Sequence, residues 1–364
     1  MEWTPIVSEA KVPLYINRLD DIARIMCDNS WENSCGLMYG KMGSLLFLFN
    51  YCEWKGDEKT YLRAVELLSH IIKQTKNAVN NGFIINDSSL ETGQSGINWG
   101  ISYFVNNEFL DADLTDIFGY GDAPVFRHMI EMVQEPQLTH LDKAVGIGLY
   151  AVNRGSRLSQ EFLRRFVNEL FVRIKEPKIE GKIFSQKSAT LAGTIRLLNK
   201  ISKRYPDIDR LSESLTFFLE LCASKPVEEH DFRMLLVMIE NDFNREQALN
   251  KMDCRAQEVL TNINTLNVDS GLERGLVATA HCFNRIFQQT GNSLYKNVST
   301  ACFERLLDTA IFKDEFSKVL WHTSSRGLWC QHYGLLNGLA GIGLTLLGAV
   351  SDTESTWDEA IYLS

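Results

Sequence analysis

The stretch YGLLNGLAGIGLTLLG, Tyr333–Gly348, contains no charged residue and carries glycine at 334, 338, 341, 343 and 348. Read as a helix, it is apolar on most sides, which is the pattern of a helix surrounded by other helices. Glycine in a helix interior costs about 1 kcal/mol relative to alanine, so its recurrence requires a structural reason. Close approach between neighbouring backbones supplies one.

The same pattern recurs outward from this stretch. CGLMYGKMGSLLFLFNY (Cys35–Tyr51), LETGQSGINWGISYFV (Leu90–Val105), THLDKAVGIGLYAVNRG (Thr139–Gly155), SATLAGTIRLLNKI (Ser188–Ile201) and SGLERGLVATAHCFNRIF (Ser270–Phe287) are glycine-bearing and apolar. EEHDFRMLLVMIENDF (Glu228–Phe243) has no glycine but falls in the gap at the right interval. Seven units result, at the spacing of roughly 40–50 residues that helical-pair repeats show. Charged stretches with one apolar stripe lie between them: 58–77, 159–177, 210–226, 245–262 and 293–312. Sustained period-2 runs and Asn-Gly hairpins are lacking, so no sheet is expected. An inner ring of seven glycine-notched helices inside an outer ring of charged ones gives an all-α fold, a closed seven-fold α/α toroid spanning 1–364 as a single domain. An open superhelix would require polar end units, and the last unit is among the most apolar.

Composition narrows the function. A net charge of −9 and the absence of a dense Lys/Arg cluster argue against a nucleic-acid partner. No run approaches the ~18 apolar residues of a membrane span. The opening MEWTPIVSEAKVPLY lacks the basic-then-apolar order of a signal peptide, so a cytoplasmic location is expected. The eight cysteines include no CxxC pair and read as reduced thiols.

The segment GLLNGLAGIGLTLL, followed by WDEAIYL (Trp357–Leu363), resembles the final repeat of the lanthionine synthetase C-like family, the peptide cyclases of lantibiotic biosynthesis. CGLMYGKMGSLLFLFNY and ETGQSGINWGISYFV are similar to that family's opening repeats. The resemblance implies a toroid whose inner-helix starts gather around a cavity. It also implies one zinc, held by two cysteines and a histidine, that activates a substrate cysteine for addition to a dehydrated serine or threonine. A nearby acid would then protonate the resulting enolate. The implied partners are a precursor peptide and a modifying enzyme such as a dehydratase.

The sequence departs from that pattern where the chemistry lies. The family's Trp-Cys-Tyr-Gly and Cys-His-Gly motifs are absent. The fifth unit opens with Glu228, Glu229 and His230, and the sixth with Asp269, Ser270 and Gly271. The family's acidic residue before the third inner helix falls near Thr139, with Asp142 a turn later, and its histidine before the fourth falls near Ala189. A relocated zinc site is conceivable where the seventh unit meets the first, from Cys35, Cys330 and His332 with His322 or water, although buried cysteine more often behaves as a small apolar residue. His140, Asp142 and His230 are candidate acids, while His281 reads as packing. Tyr39, Glu91, Trp99, Thr139, Asp269, Ser270 and Trp329 are candidate cavity-lining residues. Three readings follow: a degenerate, metal-free peptide-binding or accessory form; an active thioether-forming cyclase with a relocated zinc site; and a carbohydrate-active toroid using paired carboxylates among Glu91, Asp142, Glu229 and Asp269. The missing ligands favour the first.

Overall fold

The computed structural model describes residues 3–28, 34–80, 87–119, 121–176, 181, 183, 186–226, 230–265, 270–273, 275–309, 311–313, 318–322, 329–330 and 332–364. The chain forms two compact units, one from residues 1–85 and 253–355, the other from 86–252 and 356–364.

In the first unit, α1 (Val12–Cys27), α2 (Lys41–Lys55), α3 (Glu58–Asn80), α13 (Leu276–Thr290), α14 (Ser293–Thr309) and α15 (Leu339–Val350) pack together. The apolar helix α15 lies against both α2 and α13, so the last glycine-notched helix sits beside the first. In the second unit, α4 (Gln94–Asn106), α7 (Leu141–Arg154), α9 (Ser188–Arg204) and α11 (Phe232–Glu240) pack in that sequence. The short α5 (Leu114–Phe118), α6 (Asp122–Gln134), α8 (Arg157–Ile174) and α10 (Leu211–Ser224) accompany them, and α12 (Arg245–Asn262) joins the two units in sequence.

All seven glycine-bearing or apolar segments named from the sequence are helices, as are the five charged ones. Two further charged helices, α1 and α6, were not anticipated. α1 carries Pro13 in its first turn, where a fixed φ is suited to the helix. Gly121, whose N–H donates to the Phe118 carbonyl at 2.9 Å, immediately precedes α6. Serine and aspartate caps set other starts: Ser156 accepts from the Ser159 N–H and Asp231 from the Met234 N–H. Left-handed Gly56, Gly155 and Gly291 end α2, α7 and α13.

The glycines have two separate tasks. Three loops share one geometry: the carbonyls of Ser34, Asp87 and His332 accept from the first helical N–H seven residues later, at 3.0, 2.9 and 2.8 Å. A Cβ on the glycine just before each helix would fall 2.5 Å from Ser34 O at Gly40 and 2.2 Å from Asp87 O at Gly93. At Gly338 it would lie 2.7 Å from the carbonyl carbon of His332. Only glycine permits that approach.

The second task is to receive a leucine from the preceding repeat's loop. A Cβ on Gly341 would meet Leu272 Cδ1 at 2.5 Å, one on Gly43 would meet Leu335 Cβ at 3.1 Å, and one on Gly146 would meet Leu90 Cβ at 2.8 Å. The contacts therefore pass from the sixth repeat to the seventh, from the seventh to the first, and from the second to the third. Backbone bonds follow the same route: Leu272 N–H donates to Leu336 O at 2.6 Å, and Leu336 N–H to Met38 O at 3.0 Å.

One expectation is corrected. Residues 311–313, 318–322 and 329–330 form a small antiparallel ribbon, β1-β2-β3, in an otherwise helical chain. KVLWH (Lys318–His322) places three apolar residues in a row without alternation, so the search for period-2 runs passed over it. The expected helix 293–312 ends at Thr309, ahead of it.

Candidate functional site

The second unit brings four of the sequence-selected positions to the starts of its apolar helices. The loop 87–93 leads into α4, and Asp87 organises it by accepting from the Ser89 N–H at 2.9 Å and from the Thr92 hydroxyl at 2.5 Å. Burial works against that carboxylate, but these hydrogen bonds prevail and hold it below the ordinary aspartate range. Leu90 points inward to the Gly146 notch while Glu91, its neighbour, is exposed. The Ser88 hydroxyl is hydrogen-bonded to Nδ1 of His128 on α6, which fastens this loop to the outer layer.

Glu135 and His140 face each other across the loop before α7, with Oε2 2.9 Å from Nδ1. Thr139 and Asp142 are exposed, the latter in the first turn of α7 beside Lys143. Before α9 stands exposed Lys187, and the position where the resemblance implies a histidine is half-buried Ala189. Segment 356–364 belongs to this unit. Trp357, Asp358, Ile361 and Leu363 are buried, Lys200 Nζ lies 2.6 Å from Glu359, and Arg233 Nε donates to the Ile361 carbonyl at 2.9 Å.

The charges at these starts are coupled. Partial burial raises the Glu91 carboxyl above the ordinary glutamate range, and Asp142 and Asp87 push in the same direction. Lys143 and Lys187 pull against them. The Tyr362 phenol is raised well beyond its usual range, first by burial, then by the charges of Glu91 and Asp142, with Arg233 opposing. Glu91, Asp142 and Tyr362 thus share one electrostatic environment.

At the other end of α7 the charges are paired within the core. Arg154 Nε is 3.0 Å from Asp122 Oδ2, and both side chains are almost fully buried. Tyr150 donates to Asp122 and receives Asn98 Nδ2 at 3.3 Å, so α4, α6 and α7 meet in one polar knot.

Several candidates take other roles. Trp99 is fully buried and stacks on Tyr103 with centroids 5.2 Å apart, so it is packing and not a cavity wall. His230 is buried, and its Nε2 donates to the Cys222 carbonyl at 3.1 Å. It ties α11 to α10 and is not an accessible acid. Ser270 is also fully buried and lines no open surface. His281, read as packing, is buried within α13. In the first unit Tyr39 is 43% exposed and His332 is exposed. The thiol of Cys35 donates to Gln74 Oε1 at 3.3 Å, and burial raises its pKa against the modest pull of Lys41. Glu228, Glu229 and Asp269, and the side chains of His322, Trp329 and Cys330, lie outside the described residues.

Zinc requires thiolate or imidazole ligands converging on one point. Among the described residues no three of His, Cys, Asp and Glu lie close enough to share a metal ion. At the position corresponding to the first ligand motif, His230 is committed inward. At the second, Ser270 supplies a buried hydroxyl, which is a poor zinc donor. The described residues do not fit the metal that the resemblance implies.

Sequence reasoning passed over Tyr362 as a site residue. Its signal was present in WDEAIYL, an apolar-aromatic segment more than a dozen residues beyond the start of the last repeat helix. Nothing local in that segment reveals where it docks.

Comparison with known proteins agrees with this geometry. Residues 232–362 match the family described as lanthionine synthetase C-like protein. A solved structure of nisin cyclase matches with a TM-score of 0.65 at 13% identity, covering 98% of each chain. No curated protein matches by sequence. The structural likeness establishes the fold, the α/α toroid expected from the repeats. No described helix is long and apolar enough to cross a membrane.

Proposed function

We propose, from the membership in the lanthionine synthetase C-like family that the matched residues and the shared fold support, that this chain is a metal-free peptide-binding accessory of ribosomal peptide modification. In this reading residues 1–364 act as one toroid domain in the cytoplasm. Its partner is a precursor peptide, or the dehydratase that delivers one. The observation that carries the reading is the replacement of the family's ligand motifs by groups turned inward, His230 on the Cys222 carbonyl and Ser270 in the core.

The unit-2 helix starts suit such a partner. Glu91, Asp142, Lys143, Lys187 and Thr139 are exposed and of mixed charge, offering donors and acceptors to a peptide backbone. Fold alone does not specify activity, so the proposal rests on these side chains and on the family match.

Incubation with a dehydrated, cysteine-bearing precursor peptide tests it. The peptide should co-elute with the protein while its titratable thiols stay constant. Thiol loss without a mass change would identify thioether closure and overturn the accessory reading in favour of a cyclase.

A further inference from the structure

The glycine notches of the third, seventh and first repeat helices each receive a leucine from the preceding loop. At Gly193 of α9 the occupant is instead an aromatic ring. An added Cβ there would meet Tyr362, with Cδ1 at 3.0 Å and Cγ and Cε1 at 3.1 Å. The hydroxyl of the same tyrosine reaches across to α7, 3.6 Å from where a Cβ on Gly146 would stand. Leu90 Cβ lies 2.8 Å from that same point, so the hydroxyl arrives beside the loop 87–93.

The backbone at this place gives a reason to look at the side chain. Tyr362 has φ 62 and ψ 36 just after the helical turn Trp357–Ile361, and its N–H donates to the Glu359 carbonyl at 3.1 Å. Glycine is the usual residue in that left-handed position, and a bulky side chain there is an outlier. Arg233 Nε on the Ile361 carbonyl and the Lys200–Glu359 ion pair hold it in place. Strain that is held by surrounding contacts clusters at functional sites. Leucine fills the three other notches, so what tyrosine adds is length and a hydroxyl.

The chain itself makes no use of that hydroxyl. Among the described residues it has no hydrogen-bond partner. Unlike the unpaired Trp99 Nε1 and Ser102 Oγ, it is not sealed from solvent, and Tyr362 as a whole is half-buried. Burial, followed by the charges of Glu91 and Asp142, raises the phenol above its ordinary range, so it keeps its proton at neutral pH.

We propose that Tyr362 is a binding residue of this face: its hydroxyl, fixed between α7 and α9, donates a hydrogen bond to a backbone carbonyl oxygen of a bound peptide. The ligand comes from the peptide-binding reading. The open, unpaired hydroxyl is a property of the ligand-free chain, so the two can fail separately.

Tyr362→Phe removes the hydroxyl and keeps the ring in its notch. Its affinity for the dehydrated, cysteine-bearing precursor peptide should fall about three- to tenfold, the loss expected for one hydrogen bond. The urea midpoint should not change, because no bond within the chain is lost. In protein labelled with carbon-13 at the tyrosine Cζ, the signal that Tyr362→Phe removes should shift when the peptide is added. Equal affinity in the variant, a lower urea midpoint, or an unmoved signal with peptide bound overturns the proposal and leaves the peptide-binding reading intact. If the unaltered protein does not bind the peptide, that reading fails, and N-methylacetamide, a mimic of the peptide backbone, replaces the peptide as the probe. A saturable shift of the Tyr362 signal then upholds the donor, and an unmoved signal overturns it.

Discussion

Arg154 and Asp122 show how one buried ion pair fixes the packing of α6 on α7. Their charges are withdrawn from water and compensate each other at 3.0 Å, with Tyr150 completing the carboxylate's hydrogen bonding. Truncating one partner leaves the other buried and unpaired. Arg154→Ala should lower unfolding stability in urea by ~3 kcal/mol or more, while a paired apolar replacement of Arg154 and Asp122 should cost much less. Asp87 makes a pH-dependent contribution. Its folded pKa is depressed, so its stabilisation is complete above the ordinary aspartate range of about 4 and is lost as pH falls through the folded value. Asp87→Asn should therefore lower the urea midpoint at pH 7, and the difference from the unaltered protein should vanish near pH 2. At this scale the sequence was least legible. Trp99 was read as a candidate cavity-lining residue and His230 as a candidate acid at a helix start. Yet the turn of the helix directs Trp99 into the core, and the Cys222 carbonyl draws His230 inward.

The recurring glycines can be sorted by what surrounds them. Gly341→Ala would place a methyl 2.1 Å from the Leu335 carbonyl and 2.5 Å from Leu272, and the backbone atom cannot move aside cheaply. Gly348, on the same helix, has nothing nearer than Trp3 at 3.9 Å. Thermal and urea unfolding should show Gly341→Ala destabilised by about 1–3 kcal/mol. Gly348→Ala should be unchanged or stabilised by up to about 1 kcal/mol, since alanine favours the helix. The sequence revealed these helices because glycine against an apolar background is a strong, local and repeated signal. It did not separate the loop glycines, which admit a carbonyl, from the helix glycines, which admit a leucine; that distinction depends on the neighbouring repeat. α1 and α6 escaped notice although α1 packs on α15 and α2 and α6 on α7, because neither carries a glycine of its own. The ribbon escaped because its strands span only two to five residues.

At the level of the molecule, the decisive expectation was that the seventh repeat would adjoin the first. Leu335 seated at Gly43 and Leu336 bonded to Met38 make that junction. Hydrogen exchange should find the Leu336 and Leu272 amides protected to nearly the full free energy of global unfolding, as befits rungs inside a cooperative unit. Closure was legible because seven like units in register suffice to suggest it. The role of segment 356–364 was not, because Tyr362 fills a notch whose glycine lies 169 positions earlier, a pairing that no local pattern encodes.

The functional reading depends most on whether the chain holds zinc. Elemental analysis of protein purified without a histidine tag, after dialysis against zinc at micromolar concentration, measures this directly. The account predicts far less than one zinc per chain, unchanged by Cys35→Ser or Cys330→Ser. One tightly held zinc per chain, lost in those variants, would contradict it and place a working metal centre at the junction of the last repeat with the first.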